Sequence, residues 1–208
     1  MGTDMPIDDG YIKYSSTRRD GMVAPSAELD ELNRARTALF DRGLIGVYAN
    51  GVGYGNLSIR VSDDSQFVIT ASATGAVRTL QAEQFCLVEA FSVDGNRVQF
   101  VGSLPASSES MTHGAIYAAR ADVQCVIHVH SRVLFGHLLK ASAPATPADV
   151  PYGTPAMAHT VAQLVAQQRT LPTVFAMAGH DEGVVAYGAD TASTLDALLA
   201  LLQRTSTP

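Results

Sequence analysis

The sequence predicts an α/β fold in which helices cover a mixed, mostly antiparallel sheet. Helix and strand signals alternate along the chain, with no internal repeat and no low-complexity linker. In the first half, short apolar runs are separated by Gly, Asp and Ser turns, the punctuation of antiparallel strands. The second half interleaves amphipathic stretches with apolar strands, as expected of helices packed on a sheet.

Taken in order, residues 1–25 are polar and rich in Gly, Asp and Ser, and are expected to be a mobile tail ahead of a single domain over residues 26–208. The stretch has neither the basic patch nor the apolar core of a signal peptide. Ser26 can cap a helix running to about Arg42, with Leu29, Leu32, Ala35, Ala38 and Leu39 as its apolar stripe and Gly43 as its stop. Strands are expected at residues 57–61, 67–71, 85–93 and 98–101. A helix over 107–121, a buried strand over 123–129 and a helix over 133–141 lead into a proline-rich connection at 144–155. A helix over 155–168, two strands within 174–186 around a Gly179 to Gly183 turn, and a terminal helix over 191–203 complete the chain.

With 208 residues and 47% hydrophobic composition, the chain can bury a core without disulfides or a structural metal, so a metal here is expected to be catalytic. Cys86 and Cys125 sit in apolar runs and read as reduced core thiols, which points to a cytoplasmic location. No apolar run approaches the roughly 18 residues of a spanning helix. A net charge of -6 argues against nucleic acid or an anionic membrane as the main partner. Neither G-x-S-x-G nor a P-loop supports a serine hydrolase or a kinase.

The most informative motif is His128-Val129-His130, which closes the apolar run Val126-Ile127. Alternation along a strand puts both imidazoles on one face, within reach of one ion. Glu109 lies upstream at the opening of a helical stretch, and His180 downstream of the strand-like residues 174–178. Three imidazoles and a carboxylate make a tetrahedral zinc shell, if the fold gathers them. Two histidines flanking a valine are equally well satisfied by backbone carbonyls at a strand end.

Three short segments have the chemistry of an anion site. The run Gly51 to Asn56 fails the dinucleotide fingerprint, because Asn56 stands where the third glycine belongs and a strand follows. What remains is either a backbone that lets a ligand approach closely at Gly55-Asn56 or a plain glycine hairpin. Thr74-Gly75 follows a strand. Ser107-Ser108 begins a helix, where unpaired N–H groups favour a phosphate and where simple capping is the other use of serine.

These segments carry a resemblance. Gly55-Asn56-Leu57-Ser58-Ile59-Arg60, Thr74-Gly75, Ser107-Ser108-Glu109, Ile116-Tyr117, His128-Val129-His130-Ser131 and Gly179-His180 occur in the order and approximate spacing of the class II aldolase/adducin family. Tyr152-Gly153-Thr154-Pro155 before a helix also resembles it, so the likeness runs from about residue 30 onward. It implies a three-layer lyase fold, commonly a cyclic tetramer with sites between subunits. It further implies Zn2+ held by His128, His130 and His180, with Glu109 as catalytic acid/base and a ligand of the resting metal. Gly55, Asn56, Thr74, Gly75, Ser107 and Ser108 would bind a substrate phosphate. Tyr152, the one tyrosine between the H-x-H pair and the last histidine, would protonate the leaving alkoxide.

The chain departs from the family in two places. Leu104-Pro105-Ala106-Ser107 lacks the lysine that precedes the Pro-Ser-Ser-Glu run of the sugar-phosphate aldolases, and Asp181-Glu182 follows the last histidine where glycine is usual. Those two carboxylates are either solvated turn residues or groups that tune the site. His113, four residues after Glu109, is either packed in the core or placed behind the ligands, and His137 and His159 read as ordinary helix histidines.

The chemistry follows independently from the residues. Cleaving a carbon–carbon bond beside a ketone passes through an enediolate, stabilised by a lysine imine or by a Lewis-acid metal. The chain has two lysines, Lys13 in the expected tail and Lys140 at a polar helix end, so the metal route is expected. The expectation is a zinc-dependent aldolase of a small phosphorylated ketose. The alternatives are a dehydratase or epimerase on the same scaffold, or a non-catalytic adducin-like binding module.

Overall fold

The computed structural model describes residues 11–62 and 64–206. Ser15–Arg19 (β1), Asn56–Arg60 (β4), Phe67–Thr70 (β5), Phe85–Ser92 (β6), Arg97–Val101 (β7), Cys125–His130 (β8), Thr173–Ala176 (β9) and Gly183–Gly188 (β10) form one sheet in the order β1-β7-β6-β5-β4-β8-β10-β9. Every pairing is antiparallel except β1 with β7. A separate ribbon pairs Gly46–Val47 (β2) with Gly53–Tyr54 (β3). The expected mixed, mostly antiparallel sheet is therefore observed.

Among the described residues, five α-helices sandwich the sheet: Ala27–Phe40 (α1), Ser110–Ala119 (α2), Arg132–Lys140 (α3), Pro155–Gln167 (α4) and Thr191–Ser206 (α5). Strand periodicity sorts the core into two layers. Along β8, Val126 joins Met111, Ile116, Met157 and Val161 under α2 and α4. Its neighbours Cys125, Ile127 and Val129 join Leu29, Leu32, Leu134, Leu138 and Leu198 under α1, α3 and α5. The even-numbered positions His128 and His130 thus share the face covered by α2, the helix that Glu109 caps. On β4, paired with β8, Asn56 lies opposite His128 on that same face.

Local signals account for most boundaries. The Ser26 side chain accepts from the Leu29 N–H at 3.2 Å and starts α1. Thr154 caps α4 in the same way, with Pro155 at the first helical position. The helix expected from residue 107 begins only at Ser110, because Ser107 to Glu109 form a turn closed by Ser110 N–H to Ser107 O at 3.0 Å. Among the described residues, no helix is long and apolar enough to cross a membrane.

One expectation is corrected. The N-terminal stretch expected as a mobile tail contains β1, which pairs with β7 from Ser15↔Arg97 to Arg19↔Val101. Ahead of it, buried Tyr14 donates its hydroxyl to the carbonyls of Ala106 and Ser107, at 3.1 and 2.9 Å. All five β1 residues are exposed, so this edge strand carries no apolar alternation to betray it. Residues 1–10 of the expected tail lie outside the described residues.

Candidate active site

The three histidines come together. His128 and His130 end β8, and His180 stands in the turn that leads into β10, whose Gly183 pairs with His130. One ring nitrogen from each lies within 4.8 Å of the others, and all three residues are buried. The Nε2 atoms of His128 and His130 are 3.1 Å apart. Two nitrogens bonded to one zinc at tetrahedral geometry would sit about 3.3 Å apart, so the pair fits a shared ion.

The outer contacts select the tautomer such an ion needs. His128 Nδ1 faces the Val184 carbonyl at 3.2 Å, so it carries the proton and leaves the Nε2 lone pair available. His130 Nδ1 lies 2.6 Å from the Tyr48 hydroxyl, which can accept in the same manner. Burial drives the His128 pKa well below its usual value, followed by repulsion from His180 and His113, and so keeps the imidazole neutral. His180 is held through its own N–H to Met177 O at 2.8 Å and by Tyr152, whose ring stacks on it at 4.2 Å between centroids. The preceding position admits only glycine: a Cβ on Gly179 would lie 1.7 Å from the Val150 carbonyl.

Glu109 is 2% exposed, and its Oε1 is 3.9 Å from His180 Nδ1. It lines a cleft of about 210 Å³ together with all three histidines. The same cleft is walled by the three anion-type segments, Gly55-Asn56, Thr74-Gly75 and Ser107-Ser108. Asn56 Oδ1 is buried with no hydrogen-bond partner among the described residues. The Thr74 hydroxyl donates inward to Ala71 O at 2.8 Å. Glu109 is the one residue with a charged side chain, apart from the histidines, among the described cleft-lining residues.

Residues 37–205 match the family model described as Class II Aldolase and Adducin N-terminal domain. The chain belongs to this family. A methylthioribulose-1-phosphate dehydratase of Leptospira interrogans is 35% identical over 80 residues, covering 37% of this chain and 32% of that protein. One from Geobacillus kaustophilus is 38% identical over 78 residues, covering 37% and 34%. The matched part thus spans about a third of the length of these curated relatives. A sugar-phosphate aldolase from Thermotoga maritima superposes with a TM-score of 0.64 at 17% identity, covering 86% of this chain and 91% of that one, and shares the fold.

Against that class II aldolase/adducin framework, Tyr152 does not line the cleft. It packs in the core behind His180, and the Lys13 ammonium lies 3.9 Å from its ring centroid. His180 closes one face of the ring, so Lys13 covers the other. His113 is also outside the lining: it is fully buried, its Nδ1 is 2.7 Å from Ser58 Oγ, and burial pushes its pKa down to about 3. Asp181 is exposed and Glu182 pairs with Arg132, which makes both turn residues. His159 meets Asp94 at 2.8 Å at the surface.

Sequence reasoning missed two residues. Tyr48, which contacts His130, sits in a Gly-rich stretch with no local signal. Arg36 is 1% exposed and reaches the carbonyls of Thr74, Val77 and Arg78 behind the cleft wall. Its signal was available, since position 36 continues the helical spacing of Leu32 and Leu39 and so falls on the buried face.

Proposed function

We propose that the protein is a metal-dependent lyase acting on a small phosphorylated ketose, with Glu109 as the proton-transferring group. The observation that carries this reading is the placement of one buried carboxylate beside three clustered imidazoles in a single cleft. His128, His130 and His180 would hold the ion, zinc being the expected metal from an all-nitrogen set. A bound divalent metal supplies Lewis acidity to a ketone oxygen and so acidifies the neighbouring C–H. The Glu109 carboxylate then takes the proton from that carbon. Asn56, Gly75, Ser107 and Ser108 would grip the phosphate and set the reacting carbon against Glu109.

Two lyase reactions use this arrangement. Carbon–carbon cleavage, the reaction expected from sequence, needs a second group to exchange the proton of the cleaved alcohol, and Tyr152, the candidate for it, stands behind His180. Loss of water needs one. Glu109 removes a proton beside the ketone, the C–O bond of the next hydroxyl breaks, and the hydroxyl leaves as water with the proton from Glu109. The resulting enol becomes a diketone phosphate. The resemblance to proteins named methylthioribulose-1-phosphate dehydratase supports the same choice, and we place dehydration first. The cyclic tetramer implied by the family resemblance remains part of this proposal, and sedimentation tests it.

The experiment incubates the protein with methylthioribulose 1-phosphate and, separately, L-fuculose 1-phosphate, with and without chelator, and follows products by NMR. Metal-dependent formation of the diketone phosphate supports dehydration. Release of an aldehyde with dihydroxyacetone phosphate establishes the aldolase instead. Absence of both reactions with stoichiometric metal bound contradicts the lyase reading.

A further inference from the structure

The phosphate grip proposed above has no cation in it, yet a buried cation stands directly behind it. We infer that Arg36, on α1, is the positioning residue of the anion subsite: it supplies the positive charge and aims the Gly75 N–H into the cleft without touching the ligand. The inference rests on the phosphorylated-ketose reading.

The geometry is specific. Arg36 Nη2 donates to Thr74 O at 2.7 Å, and Nη1 donates to Val77 O and to Arg78 O, at 2.5 and 3.0 Å. All three acceptors are carbonyls of one loop. In a trans peptide the C=O and the following N–H point in opposite directions. Drawing the Thr74 carbonyl toward Arg36 therefore turns the Gly75 N–H away from it, and Gly75 lines the cleft. That N–H has no acceptor among the described residues, although Gly75 is buried. An amide at a cleft wall with no acceptor in the protein is what an anion subsite presents. Gly75 is also closely packed, since a Cβ there would meet Gly46 O at 2.2 Å and Gly53 Cα at 3.0 Å.

The charge balance points the same way. No carboxylate pairs with Arg36 among the described residues, and its contacts are neutral carbonyls plus the Phe40 ring, whose centroid lies 5.9 Å away. Burial lowers its pKa to about 10, which leaves it charged at neutral pH. An unpaired buried cation is costly unless an anion occupies the adjoining space. A phosphate in the cleft would be that anion, with Arg36 supplying the positive charge that is absent ahead of Pro105-Ala106-Ser107.

The test uses metal-loaded protein and inorganic phosphate as probe. Calorimetry should show that Arg36→Met weakens phosphate binding about tenfold or more, while Arg36→Lys, which keeps the charge but not the fork, loses less. Binding of unphosphorylated dihydroxyacetone should change little in either. In the wild-type protein, phosphate should shift the Gly75 amide resonance, a readout that does not depend on any variant folding. Phosphate affinity unchanged in the folded variants, or a stationary Gly75 resonance under saturating phosphate, overturns the inference and leaves the lyase reading standing. Phosphate binding that depends on Arg36 in a protein with no turnover does the reverse.

Discussion

Residue by residue, the candidate metal centre depends on which ring nitrogen each histidine keeps available. Val184 O and Tyr48 Oη occupy the Nδ1 atoms of His128 and His130, so their Nε2 atoms turn toward each other. Tyr48→Phe removes one of these supports, and metal affinity measured by chelator competition should fall roughly 10- to 100-fold with the fold intact. An unchanged affinity would make Tyr48 mere packing. His113 yields a prediction about pH. Its folded pKa of about 3 lies below the unfolded value of about 6.5, so the unfolded chain binds more protons between them. Stability is therefore full above the unfolded pKa and is lost as pH falls through that window. Urea unfolding of metal-free protein should lose about 1 kcal/mol between pH 7 and 5.5 through His113 alone, and His113→Gln should remove that share. His128, His130, His180 and Glu109 were legible because their chemistry is unusual in apolar surroundings. Tyr48 and Arg36 were hidden because their value lies in partners distant in sequence, His130 and the carbonyls of residues 74–78.

Among the elements, helices and central strands were legible because their caps and periodicity are local. The strand ending in His130 and the helix after Thr154 fall within two residues of expectation. What failed was β1, whose exposed Ser15-Ser16-Thr17-Arg18-Arg19 obtains its order from the edge of β7 and from the Tyr14 clasp. Tyr14→Phe deletes a hydroxyl that holds the Ala106 and Ser107 carbonyls, and should cost about 1–2 kcal/mol in denaturant unfolding. A null effect would mean that the clasp is not formed in solution. The turn carrying His180 is less tolerant. Gly179→Ala drives a methyl group into the Val150 carbonyl, so the variant should lose metal binding even where it remains folded, as read by metal content and circular dichroism. Retention of full metal content would show that the turn accommodates a methyl group.

Over the whole molecule, the two-layer core brings candidate groups from β4, the loop after β5, the turn before α2, β8 and the β9–β10 turn to one cleft. The sheet order that achieves this could not be read from periodicity, because β4 pairs with β8 across more than sixty residues of intervening chain, from Arg60 to Cys125. The family resemblance implied three layers and a mostly antiparallel sheet, but no strand order. A metal bound only by the folded chain should stabilise it by about 2.7 kcal/mol at a hundredfold excess over Kd, raising Tm by roughly 5–10 °C. The central claim is that His128, His130 and His180 hold one divalent ion. Its most direct test is to titrate chelator-stripped protein with Co2+ and follow the visible ligand-field absorption. Saturation is expected at one equivalent per chain, with the absorption lost in His130→Ala and His180→Ala. No saturable absorption in the wild-type protein, or an undiminished one in both variants, would contradict it.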